Sequence, residues 1–458
     1  MILQKKRTAK RLGLIFGIAF IAFLVVLLFN TLRYTSLQKH YEAISAIKIP
    51  DLAVQRFQTG IRYRTISFGD GRLRNNEAFS GFLDHIKNSF SLVDSLLIKR
   101  AMGDYTLLFE WKGLSEESPG LIYAHYDVVP VDSLSLSAWK SPPFAGTIVN
   151  EPIYGRGTLD NKVDVFAILE AMEMLLNQGF QPKNTLYFGF GHDEEIGGKE
   201  GAPLLDDEMM GLNQPLALIS IAEKGYVSYQ LTINTEGGHS STPTKDDTIA
   251  SLARAIIRLE ENQFDYLMQP VSDQLRYLGA EMSFFKRMIF VNAWLTQKLI
   301  LKKLNAHTTT VATLIQGGFK DNVIPTTASV TVNFRIMPGQ TIQNVYDHVV
   351  KVIDDSRITL SILQGGGQEP SPVASMHTII EKSIKQVFGE VIVSSFLLPG
   401  GTDSKHFVEV TDHCYRLNAA QITNIEAAGF HGLNEHITVI SFQNAIRFYH
   451  QLIQNING

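Results

Sequence analysis

Two adjacent carboxylates, Glu194 and Glu195, follow the apolar run Asn184-Thr185-Leu186-Tyr187-Phe188-Gly189-Phe190, within Gly191-His192-Asp193-Glu194-Glu195-Ile196-Gly197-Gly198. The run reads as a buried strand, so the pair falls in the loop at its carboxyl end. In open α/β sheets that edge is where ligands bind. Neighbouring carboxylates repel, and a cation is the simplest agent that neutralises them. One carboxylate can then hold the ion while the other handles protons. An ordinary acidic loop has the same local signature, so the reading depends on what the rest of the chain supplies.

Four further fragments bear on it. His125-Tyr126-Asp127 follows the apolar strand Leu121–Ala124. Side chains alternate along a strand, so His125 and Asp127 share a face, and a carboxylate there can accept the imidazole's second N–H and fix its orientation at a metal. Tyr154-Gly155-Arg156-Gly157-Thr158-Leu159-Asp160-Asn161-Lys162 is punctuated by glycine and runs into a helix start. It lacks the spacing of a phosphate loop, and Asp160 in isolation reads first as a plain helix cap. Phe430-His431-Gly432-Leu433-Asn434-Glu435 and Gly237-Gly238-His239-Ser240-Ser241 each set a histidine beside a glycine turn. Lone histidines of this kind are usually satisfied surface or core groups.

The elements that must position these residues follow from periodicity. Helices are predicted over Asn76–Ser89 and from about Lys162 to Gln178, where Val165, Ile168, Leu169, Met172, Leu175 and Leu176 recur at helical spacing. Asp160 or Asn161 can cap the second, and Gly179 can end it. Tyr105–Trp111 and Leu121–Ala124 read as strands, and strand, helix, strand at this spacing suggests a parallel, largely buried sheet. Residues 33–75 read as an amphipathic lead-in, including Tyr41-Glu42-Ala43-Ile44 and Val54-Gln55-Arg56-Phe57. A second pattern begins near Tyr226. Val227–Asn234 and Ala328–Arg335 alternate as half-exposed strands do, with a helix at Thr248–Glu261 between them. The apolar region 280–304 is too interrupted for a membrane span and reads as core, or as a surface for a partner or lipid. After Gly339 the α/β pattern returns, with helices at Ile342–Asp354 and Met376–Phe388, so the middle reads as a small domain inserted into a larger one.

The chain has 458 residues, 45% of them hydrophobic and 19% charged, the composition of a globular protein with room for two or three domains. Five basic residues (Lys5, Lys6, Arg7, Lys10 and Arg11) cluster at the amino terminus with no acidic residue among them. Without them 36 basic residues face 45 acidic ones, which argues against a nucleic-acid surface. The single cysteine, Cys414, excludes an internal disulfide and a thiolate-rich metal site, so a metal must use His, Asp and Glu. Leu12–Phe29 is uncharged and almost wholly apolar, and about 18 to 20 such residues just span a hydrocarbon core. The basic cluster before it predicts a cytoplasmic amino terminus and a translocated carboxyl side. A cleaved signal peptide is the rival, but the apolar run is long for one, and Asn30-Thr31-Leu32-Arg33-Tyr34 lacks a small-x-small cleavage site.

Taken in order, the fragments are H-x-D, R-G-x-x-D-x-K, D-E-E-x-G-G, G-G-H-S-S-x-P, N-F-R-x-x-P-G, G-G-T-D and H-G-x-N-E. That series resembles the M20 family of zinc metallopeptidases, in particular the carboxypeptidase S and N-acyl-amino-acid hydrolase branch, from about residue 45 to the end. Trp139 with Pro142-Pro143-Phe144, and Ala222-Glu223-Lys224-Gly225, fit the same branch. The resemblance implies an α/β zinc-peptidase domain with a mixed central sheet flanked by helices, in two parts (45–225 and 339–458). An inserted α+β lid and dimerisation domain (226–338) lies between them, behind a cytoplasmic segment (1–11) and a transmembrane helix (12–30). It further implies two zinc ions, one held by His125, the other by Glu195 and His431, with Asp160 bridging. Asp127 would orient His125, and Glu194 would be the general base. His239 would reach a neighbouring subunit's site and stabilise the oxyanion. Arg335, Asn322 and the turn Gly400-Gly401-Thr402 would hold the substrate's free carboxylate. The implied substrate is a short peptide or an N-acyl amino acid.

The chain departs from that pattern at one point. In the family a helix and a strand follow the D-E-E-x-G-G loop, and the strand ends in an Asp-Glu-Gly whose Asp is the remaining zinc ligand. Here Gly201-Ala202-Pro203-Leu204-Leu205 passes almost directly into Asp206-Asp207-Glu208-Met209-Met210-Gly211-Leu212. The ligand and a sheet strand are expected to be missing, with Asp206 or Asp207 as weak substitutes and Glu223 a poorer one. The alternative function is accordingly a catalytically impaired homologue that binds ligands or acts as a scaffold.

Overall fold

The helix Lys162–Asn177 carries apolar residues on every face and is buried almost all round, from Val163 through Phe166 and Leu169 to Leu175. A helix of that kind must be enclosed by other elements. Three other helices pack on it in the computed structural model: Leu52–Arg62, Ser91–Leu96 and the carboxyl-terminal Val439–Ile456. The structure describes all residues except 1, 69–73, 103–104, 197–203, 206–215, 244–245, 375–377, 408–410, 412 and 457–458. Phe57 stacks on Phe442 with ring centroids 4.4 Å apart and touches Phe166. Arg56 reaches into this packing to bind the buried Glu170 at 2.9 and 3.0 Å.

A mixed four-stranded sheet covers the helix, in the order Ile98–Met102, Thr106–Trp111, Asn184–Gly191, Ser115–His125. Asn184–Gly191 runs parallel to Ser115–His125 and antiparallel to Thr106–Trp111. The sheet is therefore not the all-parallel one that the strand–helix–strand spacing alone suggests. The parallel pair ends with His125 opposite Gly191, so the loops bearing Asp127 and Glu194–Glu195 leave the same sheet edge side by side.

A companion four-stranded sheet follows the order Ile392–Leu398, Leu216–Glu223, Leu204–Leu205, Gln421–Ile422. Among the described residues no ladder joins the two sheets, although one core containing Phe188, Ile219, Val393 and Ala419 runs beneath both. Between residues 196 and 216, where the resemblance implies a further strand, the described residues contain only the two-residue strand Leu204–Leu205. Asp206 and Asp207 lie outside the described residues.

A separate core lies under an antiparallel sheet in the order Thr309–Gly317, Thr327–Ile336, Gly225–Asn234, Ile358–Gln368. The helices Thr248–Glu261 and Ile342–Ile353 pack on it through Leu252, Leu259, Val345 and Val349. This unit extends past Met337. The helix Ile342–Ile353 and the strand Ile358–Gln368 belong to the second core, not to a returning first unit, because Ile358–Gln368 supplies an edge of the second sheet.

Other expectations shift more modestly. The helices Asn76–Ser89 and Thr248–Glu261 form over the predicted spans, and Gly179 ends its helix at φ 70°. Asn161 occupies the amino-terminal cap of Lys162–Asn177 but makes no side-chain capping bond. Among the described residues between Arg33 and Asn76, only Leu52–Arg62 is helical. Residues 34–50 carry neither helix nor strand, and there Gln38 exchanges two 2.8 Å hydrogen bonds with the backbone of Val393. Met376 lies outside the described residues, and that helix runs Thr378–Phe388.

Truncating Phe166 removes the ring that fills the space between the helices at Phe57, Phe82 and Phe90. Phe166→Ala is expected to lower stability by about 3–5 kcal/mol in denaturant titration. A loss under ~1 kcal/mol would mean that the site collapses around the deletion.

Candidate metal centre

Each component of the site comes from the end of a regular element. His125 closes a strand, Asp160 sits just before the helix Lys162–Asn177, and Glu194 opens a single 3-10 turn after Asn184–Gly191. The amino end of the helix adds its partial positive charge beside the carboxylates. His125 Nδ1 stands 3.2 Å from Asp127 Oδ1, and Nε2 stands 3.0 Å from Asp160 Oδ1 and 3.8 Å from Glu194 Oε2. His431 Nε2 lies 2.8 Å from the other oxygen of Asp160 and 3.2 Å from Glu195 Oε2. Asp160 thus spans the two imidazoles. Six predicted residues, His125, Asp127, Asp160, Glu194, Glu195 and His431, converge.

Asp127 does more than orient an imidazole. It is fully buried, and its two oxygens also accept the backbone N–H groups of Glu194 and Glu195 at 3.2 Å each. One carboxylate therefore fixes both the histidine and the turn carrying the acidic pair. The loop of Asp160 is held in a comparable way by Glu435. This buried carboxylate accepts the amides of Gly157, Leu159 and Asp160 at 2.9, 2.8 and 3.3 Å. It also pairs with Arg156 at 2.6 Å, and Arg156 in turn donates to the carbonyls of His431 and Gly432. The Arg156–Glu435 pair thereby clamps the Asp160 loop to the His431 loop, where His431 is held at φ 54°, a backbone region uncommon for a residue with a Cβ. The motifs contained both residues, but nothing in their spacing marked Glu435 as the anchor.

The electrostatics describe a site built for a cation. Burial pushes Glu194 up to about 9 and Glu195 up to about 7. Donation of its ring N–H to Asp160, together with the adjacent Glu195 carboxylate, raises His431 to about 10. For His125 burial opposes the charged ring, but Glu194, Asp127 and Asp160 outweigh it and hold the imidazole well above its ordinary range. Burial likewise opposes ionisation of Asp160, and the two imidazoles outweigh it and hold the carboxyl below its ordinary range. Both oxygens of Glu195 are buried without a hydrogen-bond partner, the 3.2 Å approach of His431 being poorly aimed for one. With Nδ1 of His125 donating to Asp127, the neutral ring would point the Nε2 lone pair at Asp160, an arrangement that calls for a cation between them. Ligand atoms of His125, Asp160 and Glu195 all lie within 4.8 Å of one another. Imidazole and carboxylate donors without thiolate fit a divalent ion.

The remaining predicted residues lie elsewhere. His239 is exposed on the two-stranded ribbon Gly238–His239/Val323–Ile324, with Asn322 beside it accepting the Ser240 amide at 3.2 Å. Arg335 stands over the ring of Tyr226, 5.1 Å from its centroid, on the second sheet. Among the described residues none of these three bonds to the metal cluster. Gly400-Gly401-Thr402 follows the strand Ile392–Leu398. Thr402 donates from both its amide and its hydroxyl to Glu223 at 3.0 Å. Glu223 is fully buried and also receives Ser404 and Gln368 beside Arg416, so its carboxylate is committed away from the cluster. Asp403, unremarked in its G-G-T-D motif, accepts the Tyr123 hydroxyl at 2.7 Å and ties this turn to the strand that ends in His125.

The pattern of peptidase family M20/M25/M40 matches residues 121–455. The chain belongs to that family. It is 34% identical over 95% of its length to the probable carboxypeptidase S-like 2 of Dictyostelium discoideum, covering 92% of that protein. It is 35% identical over 88% of its length to the N-fatty-acyl-amino acid synthase/hydrolase PM20D1 of Xenopus tropicalis, covering 85% of that protein. Among solved structures, the M20 family metallo-carboxypeptidase Sso-CP2 of Sulfolobus solfataricus superposes with a TM-score of 0.64 at 20% identity, over 88% of this chain and 99% of that one. The mixed α/β fold is thus the M20 peptidase fold, and this M20 chain is an enzyme of the hydrolase class.

The charge in this M20 site sets a pH dependence. After chelation, the folded chain keeps Glu194 protonated where an unfolded chain ionises it, so the folded state binds more protons between pH 4.5 and about 9. Thermal stability of chelated protein is expected to fall as pH rises through that window, and a divalent cation should reverse the trend. A flat profile with no cation effect would count against a metal centre.

Proposed function

We propose that this chain is a membrane-anchored, zinc-dependent hydrolase of an amide bond next to a free carboxylate, in a short peptide or an N-acyl amino acid. The observation that carries the reading is the convergence of His125, Asp160, Glu195 and His431 with the buried Glu194 alongside. His125, Asp160, Glu195 and His431 would hold the metal. When bound, such an ion supplies Lewis-acid polarisation of the scissile carbonyl and lowers the pKa of a water. Glu194 takes the proton from the attacking water and passes it to the departing amine. Its place beside His125 in a buried pocket suits a carboxyl that must both accept and return a proton. Asp127 keeps His125 in one tautomer and the Glu194 turn at a fixed distance. The named activities of the Dictyostelium and Xenopus relatives support both substrate classes.

Under the same reading the unit over the second sheet acts as a lid and dimerisation domain. Arg335, Asn322 and the Gly400-Gly401-Thr402 turn bind the substrate's carboxylate, for which a guanidinium fork is well shaped. His239 serves a partner subunit's site. Its exposure supports this, as does the exposed edge strand Thr309–Gly317, where Val311, Leu314 and Ile315 face outward. The apolar helix Arg11–Arg33 is long enough to cross a bilayer and anchors the chain with its amino terminus cytoplasmic and the remainder translocated.

Glu194→Gln is expected to lower hydrolysis of N-acyl amino acids and dipeptides by about 10²–10⁴-fold while leaving metal content unchanged. Activity undiminished by that change would remove Glu194 from the mechanism. With Glu223 committed elsewhere and the family's Asp-Glu-Gly segment missing, elemental analysis after dialysis is expected to find fewer than two tightly held zinc ions per chain. Two retained ions would assign a ligand among the residues outside the description.

A further inference from the structure

The apolar stretch 280–304 folds into two short helices, Phe284–Val291 and Ala293–Lys303, and most of its large apolar side chains face outward. Phe285, Trp294, Leu295 and Leu299 are 74, 58, 54 and 66% exposed. In water such a patch is a liability. What covers it is indicated by its neighbour, because the hairpin packs against the anchor helix itself. Phe23 meets Trp294 edge to face with ring centroids 6.2 Å apart. Asn292, which is 1% exposed, receives the Asn30 side chain at 3.0 Å and donates towards the Leu27 carbonyl and the Thr31 hydroxyl at 3.4 Å. Phe23 lies six residues inside the carboxyl end of the uncharged run Leu12–Phe29, about 9 Å along the helix axis. A side chain that touches Phe23 shares its depth.

We propose that this hairpin is a second membrane-inserted element, lying in the interface of the bilayer beside the anchor with Phe285, Trp294, Leu295 and Leu299 among the lipid chains. The inference rests on the reading of residues 12–30 as a membrane anchor. Charge agrees with it. Lys286, Arg287, Lys298, Lys302 and Lys303 occur within the two helices and no acidic residue does, in a chain with more acidic than basic residues. Long basic side chains can reach lipid phosphates while the apolar face stays immersed. The Asn30–Asn292 pair is the type of polar contact that joins helices within a bilayer, where an unpaired amide is costly.

The chain contains three tryptophans, and Trp111 and Trp139 are 4 and 8% exposed, so Trp294 is a nearly selective probe. Full-length protein reconstituted in phosphatidylcholine vesicles should lose tryptophan emission when the acyl chains carry bromine. Trp294→Phe should abolish that loss, and Phe285→Trp in the Trp294→Phe chain should restore it. Alkaline carbonate should leave the protein in the vesicles. If carbonate strips it, the anchor reading falls and this inference with it. If the protein stays and bromine leaves its emission unchanged, the inference alone falls. Shielding of Trp294 from aqueous acrylamide without quenching by bromine would assign the face to a protein partner and equally overturn it.

Discussion

The constraint on which the site depends is the concentration of negative charge at one sheet edge. Asp127, Asp160, Glu194 and Glu195 are withdrawn from water within 3.8 Å of two imidazoles. Left alone, such a group would protonate or push the loops apart. The chain opposes this locally, with two backbone amides and an imidazole on Asp127, three amides on Glu435 and a helix amino terminus behind Asp160. The surrounding helices and sheets supply the rigidity that keeps these donors aimed. The unsatisfied oxygens of Glu195 are where that local compensation ends and where a cation could complete it.

The cluster was legible in the primary structure because its chemistry is written in residue types. Histidine two residues before aspartate at a strand end, and paired glutamates after another strand, are weak signals singly and gain their meaning from the ordered series of motifs. The supporting parts were not legible, for a physical reason. Glu435 acts through backbone amides, which every sequence supplies, so its role appears only when Gly157, Leu159 and Asp160 are folded around it. Asp127 likewise acts on the Glu194 turn through amides. The second unit was under-extended because Gly339 looks like a boundary. The alternation Ile358, Leu360, Ile362, which marks a strand with one buried face, was the available signal for its true edge. Residues 284–303 show that hydrophobicity alone does not name its solvent. An apolar helix packed in a core and one facing lipid have the same composition, and only the proximity of Phe23 and Trp294 separates them.

The interruption after Glu195 has a structural counterpart in the division of the catalytic half into two sheets. Among the described residues only the short strand Leu204–Leu205 stands where a longer one is implied, and a common core, with no ladder, joins the sheets. The polar network of Glu223, Thr402, Ser404 and Arg416 stiffens the sheet of Leu216–Glu223 and Ile392–Leu398. The Tyr123–Asp403 bond crosses from one sheet to the other. Together they keep the Gly400-Gly401-Thr402 turn and the His–carboxylate cluster in one frame.

The clamp between Arg156 and Glu435 also orders events in time. His125, Asp160 and Glu195 emerge early in synthesis, but the Asp160 loop lacks its Glu435 restraint until residues more than two hundred positions later have been made. A nascent chain therefore carries the acidic residues without His431 or the carboxylate that gathers the Asp160 loop. Closure of the set His125, Asp160, Glu195 and His431 is a late event, completed only when the last thirty or so residues dock. A ribosome stalled short of that point would release a polypeptide with most of the acidic cluster and no means of assembling it.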